Sequence, residues 1–266
     1  MRVNLRKTLF ILPNLFTLSS IFCGFYAVLL CVREPMAESF YRASLLIVFA
    51  MFFDIMDGRV ARLTRTQSAF GVQIDSLADV VSFGVAPAVL VYQWSLHALG
   101  TGGALVAFAF LACGAIRLAR FNVLAMGVAG APKKPSKYIV GLPIPGAAGI
   151  LVSLVVANHT VAGELSGLHA VVASVVVALS FFMVSTVKFR SFKDLRLSWR
   201  TVAFVAVALG TSGAIALRFH ASFALVWLLS SYVALALFET LWRVSRRGLR
   251  AGLRADEEDE EPREAR

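Results

Sequence analysis

Four aspartates interrupt apolar sequence that is otherwise suited to lipid: Asp54, Asp57, Asp75 and Asp79, in the run DIMDGRVARLTRTQSAFGVQIDSLAD. An ionised carboxylate at membrane depth costs several kcal/mol unless it is paired or bound to a cation, so such residues are functional by default. Asp54 and Asp57 are three apart, and Asp75 and Asp79 four apart, so each pair shares one face of a helix. Two such helices packed face to face present four carboxylates to a common centre. Clustered oxygen ligands of this kind suit hard divalent cations such as Mg²⁺ or Mn²⁺. These residues therefore describe a metal site in a membrane.

Composition agrees with a membrane setting. The chain is 58% hydrophobic with a mean hydropathy of +0.76, against about 45–50% apolar residues in a soluble domain. A net charge of +10 would suit a nucleic-acid binder, but the basic residues lie between apolar runs and not in one patch, so nucleic acid is not an expected partner. Anionic lipid headgroups on the cytoplasmic side are. Cys23, Cys31 and Cys113 lie in or beside apolar segments without CxxC spacing and read as packing residues. The first apolar run is long enough to span and lacks a convincing small-residue cleavage site, so it is expected to stay as the first helix.

Runs of about 20 residues match the hydrocarbon thickness and divide the chain into eight expected spans. A basic lead-in with Arg2, Arg6 and Lys7 precedes Leu12–Val32, which is interrupted early by Pro13-Asn14. Phe40 to about Arg62 carries the first aspartate pair near its end, and Phe70–His97 carries the second near its start. The two pairs thus fall at one depth on either side of a tight polar hairpin, Leu63–Ala69. A Gly-rich link, Gly100–Gly103, leads to Ala104–Met126, and a link bearing Lys133, Lys134 and Lys137 leads to Tyr138–Asn158. That fifth span opens with GLPIPGAAG, where Pro143 and Pro145 are expected to unwind or kink it; a broken helix at depth is tolerated where it is buried or lines a cavity. Leu168–Val187, Thr201–Leu217 and Ser222–Trp242 complete the set, with a basic link, Lys188–Arg200, after the sixth.

The expected fold is all-α: a polytopic membrane bundle with a six-helix core at 1–190 and two additional transmembrane helices at 191–243. A charged cytoplasmic tail at 244–266, basic and then acidic, is expected to be disordered. With the amino terminus inside, the inside segments hold Arg59, Arg62, Arg65, the Arg117–Lys137 group, the Lys188–Arg200 group and the tail arginines. The outside links hold little beyond Arg33, Arg42 and Arg218. This positive-inside bias puts both termini and the aspartate hairpin on the cytoplasmic side of the cell's inner membrane. No internal repeat is apparent, so nothing points to a transporter built from two halves.

The full spacing, D-x2-D-G-x2-A-R-x8-G-x3-D-x3-D, runs through Asp54, Asp57, Gly58, Ala61, Arg62, Gly71, Asp75 and Asp79. It resembles the motif of the CDP-alcohol phosphatidyltransferase family without departure at any fixed position. The resemblance covers about residues 5–190. It implies displacement at a phosphorus of CDP-diacylglycerol by an alcohol hydroxyl, with release of CMP. It also implies two divalent ions on the four aspartates, with Asp79 as the base and Asp54, Asp57 and Asp75 mainly ligands, a ranking that the residues alone do not supply. A homodimer is implied as well. Gly58, Ala61, Arg62 and Gly71 are then expected beside the CDP-diacylglycerol diphosphate, although small residues one turn apart also serve helix packing, and a basic residue at a helix end also fixes topology. Asn14 and Thr17, three apart, match an Asn-x-x-Thr that family members often carry near the nucleotide; near a span's start they read equally as interfacial residues.

RLARFN, Arg117–Asn122, and GLPIPGAAG, Gly141–Gly149, look like the corresponding stretches of the phosphatidylserine-forming branch of the family, in its bacterial integral-membrane type. That resemblance implies L-serine as the acceptor. Its carboxylate would need cationic partners, for which Arg117, Arg120, Lys133 and Lys134 are candidates, together with Asn122; headgroup binding and topology for the cations, and helix capping for Asn122, are the plainer roles. Glycerol 3-phosphate or inositol is the alternative acceptor. A prenyltransferase would space its aspartates differently, and an ion transporter would not need the Arg62–Gly71–Asp75 spacing.

Overall fold

The computed structural model describes residues 5–64, 68–126, 138–160, 167–186 and 188–190, with helical pieces at 210–212 and 231. Lys133, Lys134, most of the expected seventh and eighth spans and the charged tail lie outside these residues. The described architecture is helical, in keeping with an all-α membrane bundle. Helix α1 is Leu5–Arg33 and α2 Ala37–Leu63; α3, Ala69–Asp79, passes through a π-helical turn, Val80–Val85, into α4, Ala86–Trp94. A short 3₁₀ turn, Leu96–Leu99, leads to α5, Thr101–Met126, and then α6, Ile144–Thr160, and α7, His169–Val184. Four helical stretches are long and apolar enough to cross a membrane: Asn14–Arg33, Ala37–Leu63, Phe70–Trp94 and Thr101–Val123.

Pro35, in the link between α1 and α2, disfavours helical backbone at Glu34, so α1 stops at Arg33 and α2 returns along it in the most extensive helix pairing of the described bundle. At 1.5 Å per residue the 27 residues of α2 reach about 40 Å, more than the hydrocarbon core of about 30 Å. Its aspartates therefore sit close to one end of the span. Two sequence expectations change here. Helix α1 continues through Pro13 and Asn14 without the expected interruption. Pro143 and Pro145 do not kink a helix begun at Tyr138: the helix begins at Ile144, where Pro145 occupies the first turn and needs no amide partner.

The centre of the bundle is α6. Ile144, Ala147, Ala148, Leu151, Val152 and Val155 are all buried, as expected of a helix that is apolar on every side. At 16 and 17 residues, α7 and α6 fall short of a full span, and α6 meets mainly protein. The Ile144 side chain lies in a groove where Gly84 and Gly114 have no Cβ; a Cβ at Gly114 would collide with it. Preceding α6 is a small antiparallel ribbon, β1 (Tyr138–Val140) with β2 (Lys188–Arg190), in register Ile139↔Phe189. Gly141, at φ +80°, turns the chain from ribbon to helix against the Met183 carbonyl, and the Leu142 amide donates to the Phe182 carbonyl at 3.0 Å. The ribbon thus ties the start of α6 to the end of α7.

Large apolar side chains cover the outside of α1, α2 and α5, among them Phe22, Phe25, Phe49, Phe52 and Phe108. Cys23 and Cys31 are buried and Cys113 partly so, and all are free thiols.

Candidate active site

Three of the four aspartates meet between α2 and α3, although the backbone of α3 lies against α1 and not face to face with α2 as expected. One carboxylate oxygen from each of Asp54, Asp57 and Asp75 lies within 4.8 Å of the other two, close enough for the charges of Asp54 and Asp75 to act on each other. Asp79 is close enough for its charge to act on Asp54, Asp75 and Asp57. Its Oδ1 is buried without a hydrogen-bond partner among the described residues, a state that costs free energy unless a ligand answers it.

This donor set fits a divalent cation. Oxygens bound to one Mg²⁺ at about 2.1 Å stand at most about 4.2 Å apart, a small side-chain rotation from the observed cluster. Carboxylates brought together in low dielectric repel one another, and a cation removes that repulsion.

The surrounding residues divide into those on the carboxylates and those elsewhere. Thr17 is buried and its hydroxyl donates to Asp57 Oδ2 at 2.7 Å, so α1 reaches a carboxylate directly. Arg62 is exposed, near enough to Asp57 for charge attraction, with its guanidinium over Gly58: a Cβ there would stand 3.8 Å from Nη1. Gly71 lies in the first turn of α3, where its amide donates to Ser68 Oγ at 3.0 Å. Ser68 is the helix N-cap. Asn14 and Ala61 are half-buried.

Arg117 is 8% exposed, lies over the Phe121 ring at 5.7 Å and attracts Asp79. Arg120 points elsewhere, donating to the Val184 carbonyl at the end of α7 at 3.2 Å. Asn122 does not cap α5, which continues to Met126; its Nδ2 donates to Ser76 Oγ at 2.8 Å, next to Asp75.

The family model described as CDP-alcohol phosphatidyltransferase matches residues 10–184, a stretch that contains all four aspartates. The chain belongs to this family. It is 38% identical over 202 residues to the CDP-diacylglycerol–serine O-phosphatidyltransferase of Helicobacter pylori, covering 75% of this chain and 79% of that one. It is 34% identical over 182 residues to the protein of that name from Bacillus subtilis (68% and 91% covered). To the archaetidylserine synthase of Methanothermobacter thermautotrophicus it is 35% identical over 180 residues (67% and 69% covered). The family is one of enzymes, and its activity is phosphatidyl transfer in phospholipid synthesis.

Within that family frame, Ser68 and Ser76 are contacts of the site that the spacing motif leaves unread. A serine before an apolar run is a usable N-cap signal. Nothing local to Ser76 marks it as a partner for Asn122.

Proposed function

We propose that this protein transfers a phosphatidyl group from CDP-diacylglycerol to L-serine, forming phosphatidylserine and CMP, at the cytoplasmic face of the inner membrane. The convergence of Asp54, Asp57 and Asp75 within 4.8 Å, with Asp79 and the buried Arg117 alongside, carries this reading. The names of the relatives support serine as acceptor.

Asp54, Asp57 and Asp75, with Asp79 at the edge of the set, would hold one or two Mg²⁺ or Mn²⁺ ions. When bound, these neutralise diphosphate charge and stabilise the charge developing on the leaving oxygen. The serine hydroxyl oxygen bonds to the phosphorus that carries diacylglycerol, and the bond from that phosphorus to the CMP oxygen breaks. Serine's hydroxyl proton passes to Asp79, whose buried Oδ1 has an open acceptor position. Arg117 pairs with the serine carboxylate and keeps it beside Asp79. Arg62 contacts a diphosphate oxygen, and Gly58 leaves room for close approach of the nucleotide; Asn14 and Ala61 lie at the edge of that pocket. Thr17 serves the nucleotide indirectly, by orienting Asp57. The diacyl chains stay in lipid, which is why the site sits near the end of α2 and not at mid-span.

The family core spans residues 1–190; 191–243 adds two transmembrane helices and 244–266 a charged cytoplasmic tail. The assembly is a homodimer in a membrane that supplies anionic lipid.

Purified protein, given CDP-diacylglycerol, radiolabelled L-serine and Mn²⁺ or Mg²⁺, should form labelled lipid and release CMP, both abolished by EDTA. CMP release with glycerol 3-phosphate or inositol but no serine incorporation would keep the chemistry and reject the acceptor. No CMP release with any acceptor would reject the enzyme reading.

A further inference from the structure

Behind the carboxylates lies a buried polar joint that binding of substrate does not use. Ser20 and Ser82, 62 residues apart, are almost wholly buried. Ser20 Oγ lies 3.2 Å from Ser82 Oγ, and Ser82 Oγ donates to the Ser20 carbonyl at 2.9 Å. One turn further along α1, Gly24 presses on the same residue: a Cβ there would lie 2.7 Å from Ser82 Cα, so only glycine permits the approach. Ser82 belongs to the π turn that starts immediately after Asp79, in which the Ala86 amide donates to the Val81 carbonyl, five residues back. Such a turn places one extra residue in the helix, is uncommon, and recurs at functional sites.

The extra residue changes the rotation of the helix between Asp79 and α4 by about 100° relative to an unbroken helix. Asp75 and Asp79 can then face α2 while Leu90, Val91 and Trp94 face the core. Pro87, just beyond the turn, cannot donate to the Phe83 carbonyl as an unbroken α-helix requires, so the chain is predisposed to an irregular turn here, and a neighbour is needed to hold it in one place. The α1 face supplies it. Thr17 and Ser20 are three apart on that face: Thr17 bonds to Asp57 on one carboxylate arm, and Ser20 bonds to the turn that ends the other.

We propose that Ser20, Ser82 and the Gly24 contact are positioning elements for the reaction, locking the π turn to α1 and so fixing Asp75 and Asp79 against Asp54 and Asp57. The inference rests on the cation-binding role given above to the carboxylates. It does not depend on the acceptor.

The full-length protein in detergent can be titrated with Mn²⁺ while free Mn²⁺ is followed by its electron paramagnetic resonance signal. Ser82→Ala removes both bonds and Ser20→Ala removes one. We expect the Mn²⁺ dissociation constant to rise about 3- to 10-fold in Ser82→Ala and less in Ser20→Ala. The double variant should equal Ser82→Ala, because both changes cut one joint. A purely structural joint would instead lower the melting temperature and the number of Mn²⁺ sites, leaving the dissociation constant of the folded fraction as in the wild type. That result, or an unchanged constant with unchanged melting, overturns the proposal. Should Ser82→Ala not fold, Ser20→Ala carries the same decision alone, since it keeps the bond to the Ser20 carbonyl. Wild-type protein that bound no Mn²⁺ would reject the metal reading together with this one, whereas normal Mn²⁺ binding without serine transfer would reject only the acceptor.

Discussion

Asp79 differs from the other three aspartates in its surroundings. Asp57 has the Thr17 hydroxyl and lies with Asp54 and Asp75 in the three-carboxylate cluster, whereas Asp79 Oδ1 is buried with no hydrogen-bond partner among the described residues. An acceptor kept open beside a cluster of ligands is what a proton acceptor requires. Asp79→Asn preserves size and removes the basic oxygen, so CMP release at saturating serine should fall about 10²- to 10⁴-fold, while the protein remains folded by gel filtration and melting. Turnover at the wild-type rate would remove the base role from Asp79 and leave it as a ligand. The four aspartates are legible in the sequence because i,i+3 and i,i+4 spacing fixes a shared helix face whatever the helix packs against. Thr17 is only half legible: its position on α1 is plain, but its bond to Asp57, 40 residues away, depends on how two helices rotate against each other. The same limit explains Arg120, which belongs by spacing with Arg117 but reaches α7 instead.

Helices themselves are read well where apolar length decides them, as for α1, α2 and α5, and poorly where backbone detail decides them. The π turn after Asp79 is marked in the sequence only by Pro87, just beyond VVSFGV, which signals a break but not its form, and Pro145 starts α6 where proline inside a longer apolar run suggests a kink. Glycines show the same division, since a helical glycine is uninformative until its neighbour is known. Gly24 and Gly58 both lie in helix interiors, so alanine at either gains up to about 1 kcal/mol of helix propensity, and the difference between the two variants reports the contact alone. At Gly24 the added Cβ meets Ser82 backbone at 2.7 Å, whereas at Gly58 the nearest atom is the flexible Arg62 guanidinium at 3.8 Å. Overpacking of the first kind costs about 1–3 kcal/mol. Gly24→Ala should therefore melt below Gly58→Ala in the same detergent, and Gly58→Ala should melt at or above the wild type while its KM for CDP-diacylglycerol rises. Equal melting of the two variants would mean that α1 can step back from the π turn without cost, and an unchanged KM in Gly58→Ala would remove nucleotide approach from that position.

At the scale of the molecule, the two ends of α2 carry different chemistry, and orientation in the membrane decides which compartment meets each. Near its start, Glu38 pairs with Arg42 at 2.8 Å and lies 3.5 Å from His159 at the end of α6. Asp54 follows 16 residues later, about 24 Å along the axis, and α2 then continues through Arg59 and Arg62 to Leu63. The carboxylates and the Glu38 cluster therefore lie toward opposite faces of one bilayer thickness. A water-soluble nucleotide product must leave from the carboxylate end, and the basic residues that follow Asp57 favour the cytoplasm for that end. Single cysteines on a background lacking Cys23, Cys31 and Cys113 can locate both faces. Leu63→Cys lies at a position 83% exposed, and Glu34→Cys lies in the exposed link between α1 and α2. A membrane-impermeant maleimide should label Glu34→Cys in intact cells with a permeabilised outer layer and spare Leu63→Cys, and inverted vesicles should reverse the pattern. Labelling of Leu63→Cys from outside would turn the bundle over, placing the aspartates away from the cytidine nucleotides of the cell and removing the physical basis for an inward-facing site.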